Sequence, residues 1–181
     1  MKKKFIISGP PGSGKTTLIN ALSAKGIPCI HEVARDIITA EQETNGKGTP
    51  WEDVARFSEL VFKETLNRFE LQKNSLFCDR SLVDNMAYLT YYKAKISTEL
   101  KTFDFENVYH NTIFFTRPWE AIFINDAQRP QSFSESVELS KQLVETYTAL
   151  GYHIEFIPFT TVARRIDFIL DKIVKSFVCY L

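Results

Sequence analysis

The chain has 181 residues, of which 44% are hydrophobic and 24% are charged, values that suit one folded domain and exclude a disordered chain. Its 22 basic residues are matched by 22 acidic residues, and this balance argues against the broad basic surface that binds duplex nucleic acid. Three scattered cysteines form no disulfide framework or metal-ligand spacing, and no apolar run approaches the roughly 18 residues of a membrane span, so we expect a cytoplasmic protein with no membrane partner.

Apolar segments and segments with helical periodicity alternate along the whole chain. Five short apolar segments, each ended by glycine, proline or polar residues, predict strands; these are residues 4–8, 27–31, 75–78, 112–116 and 152–157. Helices are predicted over residues 15–25, 33–41, 49–72, 81–95, 98–107, 132–151 and 162–178. Strands that alternate with helices favour a parallel sheet with helices on both faces. The sequence therefore predicts a single α/β domain over residues 1–181, with a five-stranded parallel sheet sandwiched by helices.

Three of the predicted helices begin with a capping motif. In each motif a serine or threonine accepts a hydrogen bond from a first-turn amide, and an acidic side chain three residues later bonds back to the cap. A proline in the first motif also suits the first helical position. The motifs are Thr49-Pro50-Trp51-Glu52, Ser81 with Asp84, and Ser132 with Glu135.

A glycine-rich segment joins the first predicted strand to the first predicted helix and matches G-x-x-x-x-G-K-[ST] in full. Its glycines let several backbone amides face one triphosphate, and the helix adds its positive end. Lys15 neutralises the β- and γ-phosphate oxygens, while the Thr16 hydroxyl ligates Mg²⁺. The residues predicted to bind the nucleotide are Gly9, Pro10, Pro11, Gly12, Ser13, Gly14, Lys15, Thr16 and Thr17. The segment thus predicts a P-loop protein that binds ATP and Mg²⁺.

The remaining motifs narrow the class of P-loop protein. The sequence lacks the N-K-x-D motif with which GTPases bind guanine. Its third predicted strand ends in Asp79-Arg80-Ser81, whereas a mechanical AAA+ ATPase carries an apolar strand that ends in Asp-Glu. These features argue against a GTPase and a mechanical ATPase, and the Asp79-Arg80-Ser81 triplet resembles an element of nucleoside and thymidylate kinases.

Four segments carry a resemblance to a known family. They are F-I-I-S-G-P-P-G-S-G-K-T-T at residues 5–17, H-E-V-A-R at 31–35, D-R-S-L-V-D-N-M-A-Y at 79–88 and P-W-E-A-I-F-I-N-D-A-Q-R at 118–129. The pattern resembles a bacterial "AAA domain" family of P-loop ATPases or kinases. It is similar to nicotinamide riboside kinase domains and to nucleoside and thymidylate kinases. The resemblance covers nearly the whole chain.

The resemblance implies two candidate catalytic carboxylates. Glu32 follows the second strand, where nucleoside kinases place the carboxylate that accepts the proton of the attacking hydroxyl, although it also suits the N-terminus of the next helix. Asp79 is the alternative base, or holds Mg²⁺ through water. Arg35 and Arg80 are candidates to hold the acceptor or a phosphate, with a solvated helix charge as the alternative for Arg35.

The segment 117–131 follows the fourth strand and resembles a kinase lid. A lid excludes water and brings further arginines to the transferred phosphoryl group. Arg129 is the predicted catalytic lid arginine and Arg117 a predicted substrate-binding residue, with an ordinary surface loop as the alternative. Five aromatic residues are candidates to stack on an acceptor ring, or to belong to the core. They are Trp51, Phe57, Tyr88, Tyr91 and Tyr92.

Together these features predict a Mg²⁺-dependent kinase that transfers the γ-phosphoryl group of ATP to the hydroxyl of a small molecule. A nucleoside, a nucleotide or a vitamin-like compound is the expected acceptor. An NTPase that acts as a nucleotide-dependent binding module is the alternative, and the zero net charge disfavours a kinase of nucleic-acid ends. The oligomeric state is not predicted.

Overall fold

A computed structural model describes residues 3–124 and 131–178 of the chain. Its sheet has five parallel strands in the order β2-β3-β1-β4-β5. The strands are β1 Lys4–Ser8, β2 Cys29–Ile30, β3 Phe77–Asp79, β4 Tyr109–Phe115 and β5 His153–Phe156. The fold predicted from the sequence is therefore confirmed.

Eight α-helices connect or follow these strands in the described part of the chain. They are α1 Lys15–Ala24, α2 Val33–Glu43, α3 Val54–Leu71, α4 Leu82–Tyr91, α5 Thr98–Lys101, α6 Phe105–Val108, α7 Phe133–Ala149 and α8 Val162–Val178. A short 3₁₀ helix, Glu120–Ile122, follows β4. None of the helices within the described ranges is long and apolar enough to cross a bilayer.

Strand β1 lies at the centre of the sheet and is buried along its whole length. Successive side chains of a strand point to opposite faces, and β1 follows this period of two. Phe5 and Ile7 belong to a core formed with α1 and α8, whereas Ile6 belongs to a second core formed with α4 and α7. Apolar residues on both faces of β1 thus fix its central place.

The predicted capping motifs at Ser81 and Ser132 are confirmed, since both form reciprocal capping boxes with Asp84 and Glu135. The predicted helix start at Thr49 is wrong. Helix α3 begins at Val54, and the Asp53 side chain accepts from the amide of Arg56. A turn precedes it because Thr49 uses its carbonyl for the amides of residues 52 and 53 and its hydroxyl for the Glu52 side chain.

The helix predicted over residues 98–107 is two short helices, α5 and α6. The first ends at Lys101 with Thr102 as its C-cap, and the Asp104 side chain then caps a new turn by accepting from the amide of Asn107. The carboxylate of Asp104 restarts the helix where a continuous one was expected, because aspartate is a strong N-cap residue.

Candidate active site

The carboxyl ends of the parallel strands meet at one edge of the sheet, where ligands bind in open α/β folds. The glycine-rich loop leaves β1 at this edge and enters α1. Gly9, Gly12 and Gly14 have φ angles of 142°, 74° and 83°, a region that side chains other than glycine rarely adopt. Gly14 is the N-cap of α1 and provides no side-chain hydrogen bond. The first amides of α1 are therefore suited to bind an anion.

The Lys15 side chain and the Thr16 hydroxyl, directly after the loop, are buried. Lys15 is only 2% exposed, and its Nζ donates to the carbonyl of Pro10 at 2.7 Å. Thr16 Oγ1 is buried and has no hydrogen-bond partner within the described residues. A lysine and a free hydroxyl at the start of a helix fit the phosphate and Mg²⁺ roles predicted for them.

Residues far along the chain brace the loop. Thr116, directly after β4, shares a 2.6 Å hydrogen bond with Ser13 Oγ. Ser136 Oγ, on α7, donates to the carbonyl of Pro11 at 2.9 Å. Thr116 also explains why position 9 is a glycine, since a Cβ atom there would lie 2.2 Å from Thr116 Oγ1. No local sequence signal marks either bracing residue.

Arg80 connects the loop to the predicted catalytic carboxylate. Its Nε donates to Glu32 Oε1 at 2.6 Å, and its Nη1 donates to the carbonyl of Gly9 at 3.1 Å. Both side chains are almost buried, with exposures of 10% for Arg80 and 7% for Glu32. The backbone of Arg80 has a φ of 70°, a strained conformation that is concentrated at functional sites.

The surroundings of Arg80 keep it charged. Burial opposes its charge, but Tyr88, Glu32, Asp84 and Asp79 outweigh burial and raise the pKa of Arg80 well above its ordinary value. Burial in turn raises the pKa of Tyr88 to about 12, and the guanidinium lies 5.5 Å from the centre of this ring. The site therefore contains a permanent cation between the loop and Glu32.

Asp84 holds the start of α4 in place. Its carboxylate accepts from Ser8 Oγ at 2.7 Å, from the amide of Ser81 at 2.9 Å and from the hydroxyl of Tyr147. These bonds join β1, α4 and α7 beneath the site. Asp84 and Ser81 thus cap α4, as the sequence predicts, and Asp84 also braces the neighbouring elements.

A narrow cleft opens beside these groups, with about 80 Å³ of space for the centres of water-sized molecules. The predicted residues Glu32, Arg35, Asp79 and Arg80 all line it, and Arg35 Nε lies 3.6 Å from Glu32 Oε2. Of the five candidate aromatic residues, Phe57 and Tyr88 line the cleft, whereas Trp51, Tyr91 and Tyr92 do not. Its other apolar walls include Ile30, Val61 and Phe69.

The structure does not bring every predicted residue to this cleft. Arg117 is exposed and stacks on Phe159, 4.5 Å from the ring centre, and on Phe156. It lies outside the residues that line the cleft. Arg129 belongs to residues 125–130, outside the described part of the chain, so its lid role stays a prediction.

The first part of the predicted lid segment lies over the phosphate loop. A Cβ atom at Gly12 would lie 2.4 Å from the ring of Phe123, and one at Gly14 would lie 3.0 Å from Ile122. Phe123 also packs edge-on against Phe133 at the start of α7, with ring centres 5.3 Å apart. The loop is therefore covered on this side by apolar residues that follow β4.

The cation site that the sequence predicts rests on two side chains. No group of three or more histidine, cysteine, aspartate or glutamate residues with metal-ligand geometry occurs within residues 3–124 and 131–178. The buried Thr16 hydroxyl and the Asp79 carboxylate fit Mg²⁺, which needs few protein oxygens when phosphates supply the others.

Comparison with known proteins places the chain in a family. A family described as "AAA domain" matches residues 4–165. The chain belongs to this AAA domain family. No curated protein sequence matches this AAA domain protein.

Solved structures show the same fold. Deoxyadenosine kinase from M. mycoides with bound dATP superimposes with a TM-score of 0.65 and 18% sequence identity, over 95% of this chain and 99% of that one. The same kinase with dCMP and a flexible dCDP bound gives a TM-score of 0.63 and 17% identity, over 96% and 99% of the two chains. The AAA domain protein thus shares its α/β fold with this deoxyadenosine kinase.

Proposed function

We propose that this protein is a kinase that transfers the γ-phosphoryl group of ATP to a hydroxyl of a nucleoside-like acceptor. One observation carries the proposal. Arg80 donates hydrogen bonds both to Glu32 in the cleft and to the carbonyl of Gly9 in the glycine-rich loop. A candidate base and the donor site are therefore joined through one cation. A plain NTPase has no need for an acceptor cleft fixed to its phosphate loop.

The donor side is built from the loop and the start of α1. The amides around Gly12 and Gly14 bind the phosphates, and Lys15 exchanges its bond to the Pro10 carbonyl for phosphate oxygens. The Thr16 hydroxyl and Asp79 would hold Mg²⁺, which would neutralise negative charge on the phosphates.

On the acceptor side Glu32 is the first candidate for the general base. It is 8% exposed at the cleft wall, where it accepts the proton of the acceptor hydroxyl as that oxygen attacks phosphorus. Asp79 is the alternative base, because it ends β3 at the same edge and lines the same cleft. Arg80 stabilises the negative charge on the transferred group, and Arg35 orients the acceptor from the other side of Glu32.

The walls of the cleft favour a flat, partly apolar acceptor. Ile30, Phe57 and Phe69 form an apolar interior, while Glu32, Arg35 and Arg80 supply the polar end. A nucleoside has this division, with an aromatic base at one end and sugar hydroxyls at the other. The fold shared with a deoxyadenosine kinase also supports this acceptor class.

Transfer is tested by ADP formation from Mg²⁺-ATP with a panel of nucleosides, nucleotides and vitamin-like alcohols. The proposal predicts slow basal turnover and a strong stimulation by at least one nucleoside. Lys15→Met is the negative control, since it removes the phosphate-binding cation. Nucleotide binding without stimulation by any acceptor would contradict the proposal and favour a nucleotide-dependent binding module.

A further inference from the structure

Arg165, in the first turn of α8, is a buried arginine with no acidic partner among the described residues. It is 3% exposed, and no carboxylate of the described residues lies within 4.0 Å of its guanidinium. Its Nη2 donates to the carbonyl of Ser13 over a long 3.4 Å, and its Nε has no partner in the described part of the chain. A buried cation left in this state is uncommon in a folded protein.

This arrangement costs free energy in the unliganded protein. Burial lowers the pKa of Arg165, but an arginine side chain stays protonated in proteins. The cation therefore remains in a poorly solvated place with unused donors. Such a place favours an anion, because a phosphate oxygen accepts the free N–H groups and neutralises the charge.

The guanidinium lies directly beside the phosphate loop. Its Nη1 would lie 3.0 Å from a Cβ atom at Gly14, the N-cap of α1. The indole of Trp119 packs on the guanidinium, 5.7 Å from its carbon to the ring centre. The amides that follow Gly14 are those that bind phosphate in this kind of loop, so Arg165 is held within reach of the same anion.

We propose that Arg165 is a second cation of the phosphate site and donates to a phosphate oxygen of the bound nucleotide beside Gly14. The inference rests on the proposed function for the identity of the ligand as a nucleoside triphosphate. Lys15 approaches the phosphates from α1, and Arg165 approaches them from α8. Helix α8 thus takes part in nucleotide binding as well as in the hydrophobic core.

The test compares Arg165→Met with Arg164→Met by calorimetry. Arg164 is the adjacent, exposed residue of the same helix, so its replacement controls for loss of a positive charge. The probes are Mg²⁺-ATP and inorganic tripolyphosphate, which share phosphates but not the base. Arg165→Met is expected to weaken both by a similar factor of about 10 to 100, as loss of a charge-assisted hydrogen bond does, while Arg164→Met leaves both within about twofold.

Three results would overturn the inference. Unchanged affinity of Arg165→Met for ATP would show that the arginine does not contact the nucleotide. Weaker ATP binding with unchanged tripolyphosphate binding would assign it to the base. A parallel fall in the melting temperature of the unliganded protein would assign it to support of the loop, since replacement of an unpaired buried charge by methionine is expected to be neutral or stabilising.

If the methionine variant does not fold, Arg165→Lys takes its place. Lysine keeps the charge but lacks the planar fork, so a loss of about threefold to tenfold for both anions is expected, and none would contradict the inference. Failure of the proposed function gives a different pattern. In that case the wild-type protein binds ATP and phosphorylates no acceptor, yet Arg165→Met still weakens ATP binding.

Discussion

Replacement of Glu32 by glutamine separates its chemical role from its structural one. The wild-type carboxylate accepts from Arg80 Nε at 2.6 Å, and its second oxygen lies 3.6 Å from Arg35 Nε. Glutamine keeps the size of the side chain and an oxygen that accepts from Arg80, but it cannot take up a proton. Because the bond to the buried arginine is weakened rather than lost, we expect the free energy of unfolding to fall by about 1–3 kcal/mol.

The expected effect on transfer is larger. A positioned general base contributes about 100- to 10,000-fold to a rate, so kcat for acceptor phosphorylation by Glu32→Gln should fall by that factor. ATP affinity should stay within about threefold of the wild type, because a change outside the binding contacts leaves ground-state binding nearly intact. The rate is measured as ADP formation with saturating acceptor, and ATP affinity by calorimetry.

Two further variants make the result decisive. Glu138→Gln changes a glutamate on the exposed face of α7 and should leave kcat unchanged. Asp79→Asn tests the other candidate base. If Glu32→Gln retains more than about a tenth of the wild-type kcat, the assignment of Glu32 as the base is refuted. Loss of transfer in Asp79→Asn with unchanged affinity for Mg²⁺-ATP would then favour Asp79 as the base over a role in holding Mg²⁺.

Three other predictions follow from the structure. Gly9→Ala should lower the free energy of unfolding by at least about 2 kcal/mol in thermal denaturation, because φ is 142° and the new Cβ atom would lie 2.2 Å from Thr116. The control is Gly26→Ala, where φ is also positive but no atom lies within 4 Å, and it should cost only about 1–2 kcal/mol. Equal costs for the two variants would contradict a clash at Gly9. Burial and the nearby Lys3 lower the pKa of His110, so its contribution to stability is present above the unfolded pKa of about 6.5 and is lost as pH falls toward the lowered folded pKa. In urea unfolding, the free energy of unfolding of His110→Gln should therefore fall less than that of the wild type between about pH 7 and pH 5. An equal fall in the two proteins would contradict this prediction. Burial raises the pKa of the thiols of Cys29 and Cys78. In a Cys179→Ser chain, iodoacetamide at neutral pH should therefore label neither thiol until urea is added. Rapid labelling of the native chain would contradict the burial of both thiols.

Much of the candidate donor site could be predicted because its signal is contiguous in the sequence. The residues from Gly9 to Gly14 form one loop between β1 and α1, and Lys15, Thr16 and Thr17 begin that helix. The alternation of apolar segments likewise predicted five parallel strands. Boundaries failed where local side chains competed with the helical pattern. At Thr49 a threonine and a glutamate formed a turn of their own instead of a helix start.

The parts of the site that could not be predicted come from contacts between distant residues. Ser13 meets Thr116 at a separation of 103 residues and Arg165 at 152 residues, and Pro11 meets Ser136 at 125 residues. A single sequence carries no signal for such pairs. Neither the sequence neighbours of Arg165 nor the pattern of α8 indicates the loop against which Arg165 packs.

The most direct test of the account is the identity of the phosphorylated product. The protein is incubated with Mg²⁺-ATP and the nucleoside that stimulates turnover most, and the products are resolved by phosphorus NMR and mass spectrometry. The account predicts one nucleoside monophosphate for each ADP formed, and no such product with Lys15→Met. Inorganic phosphate as the sole new phosphorus species, with every nucleoside recovered unchanged, would contradict it.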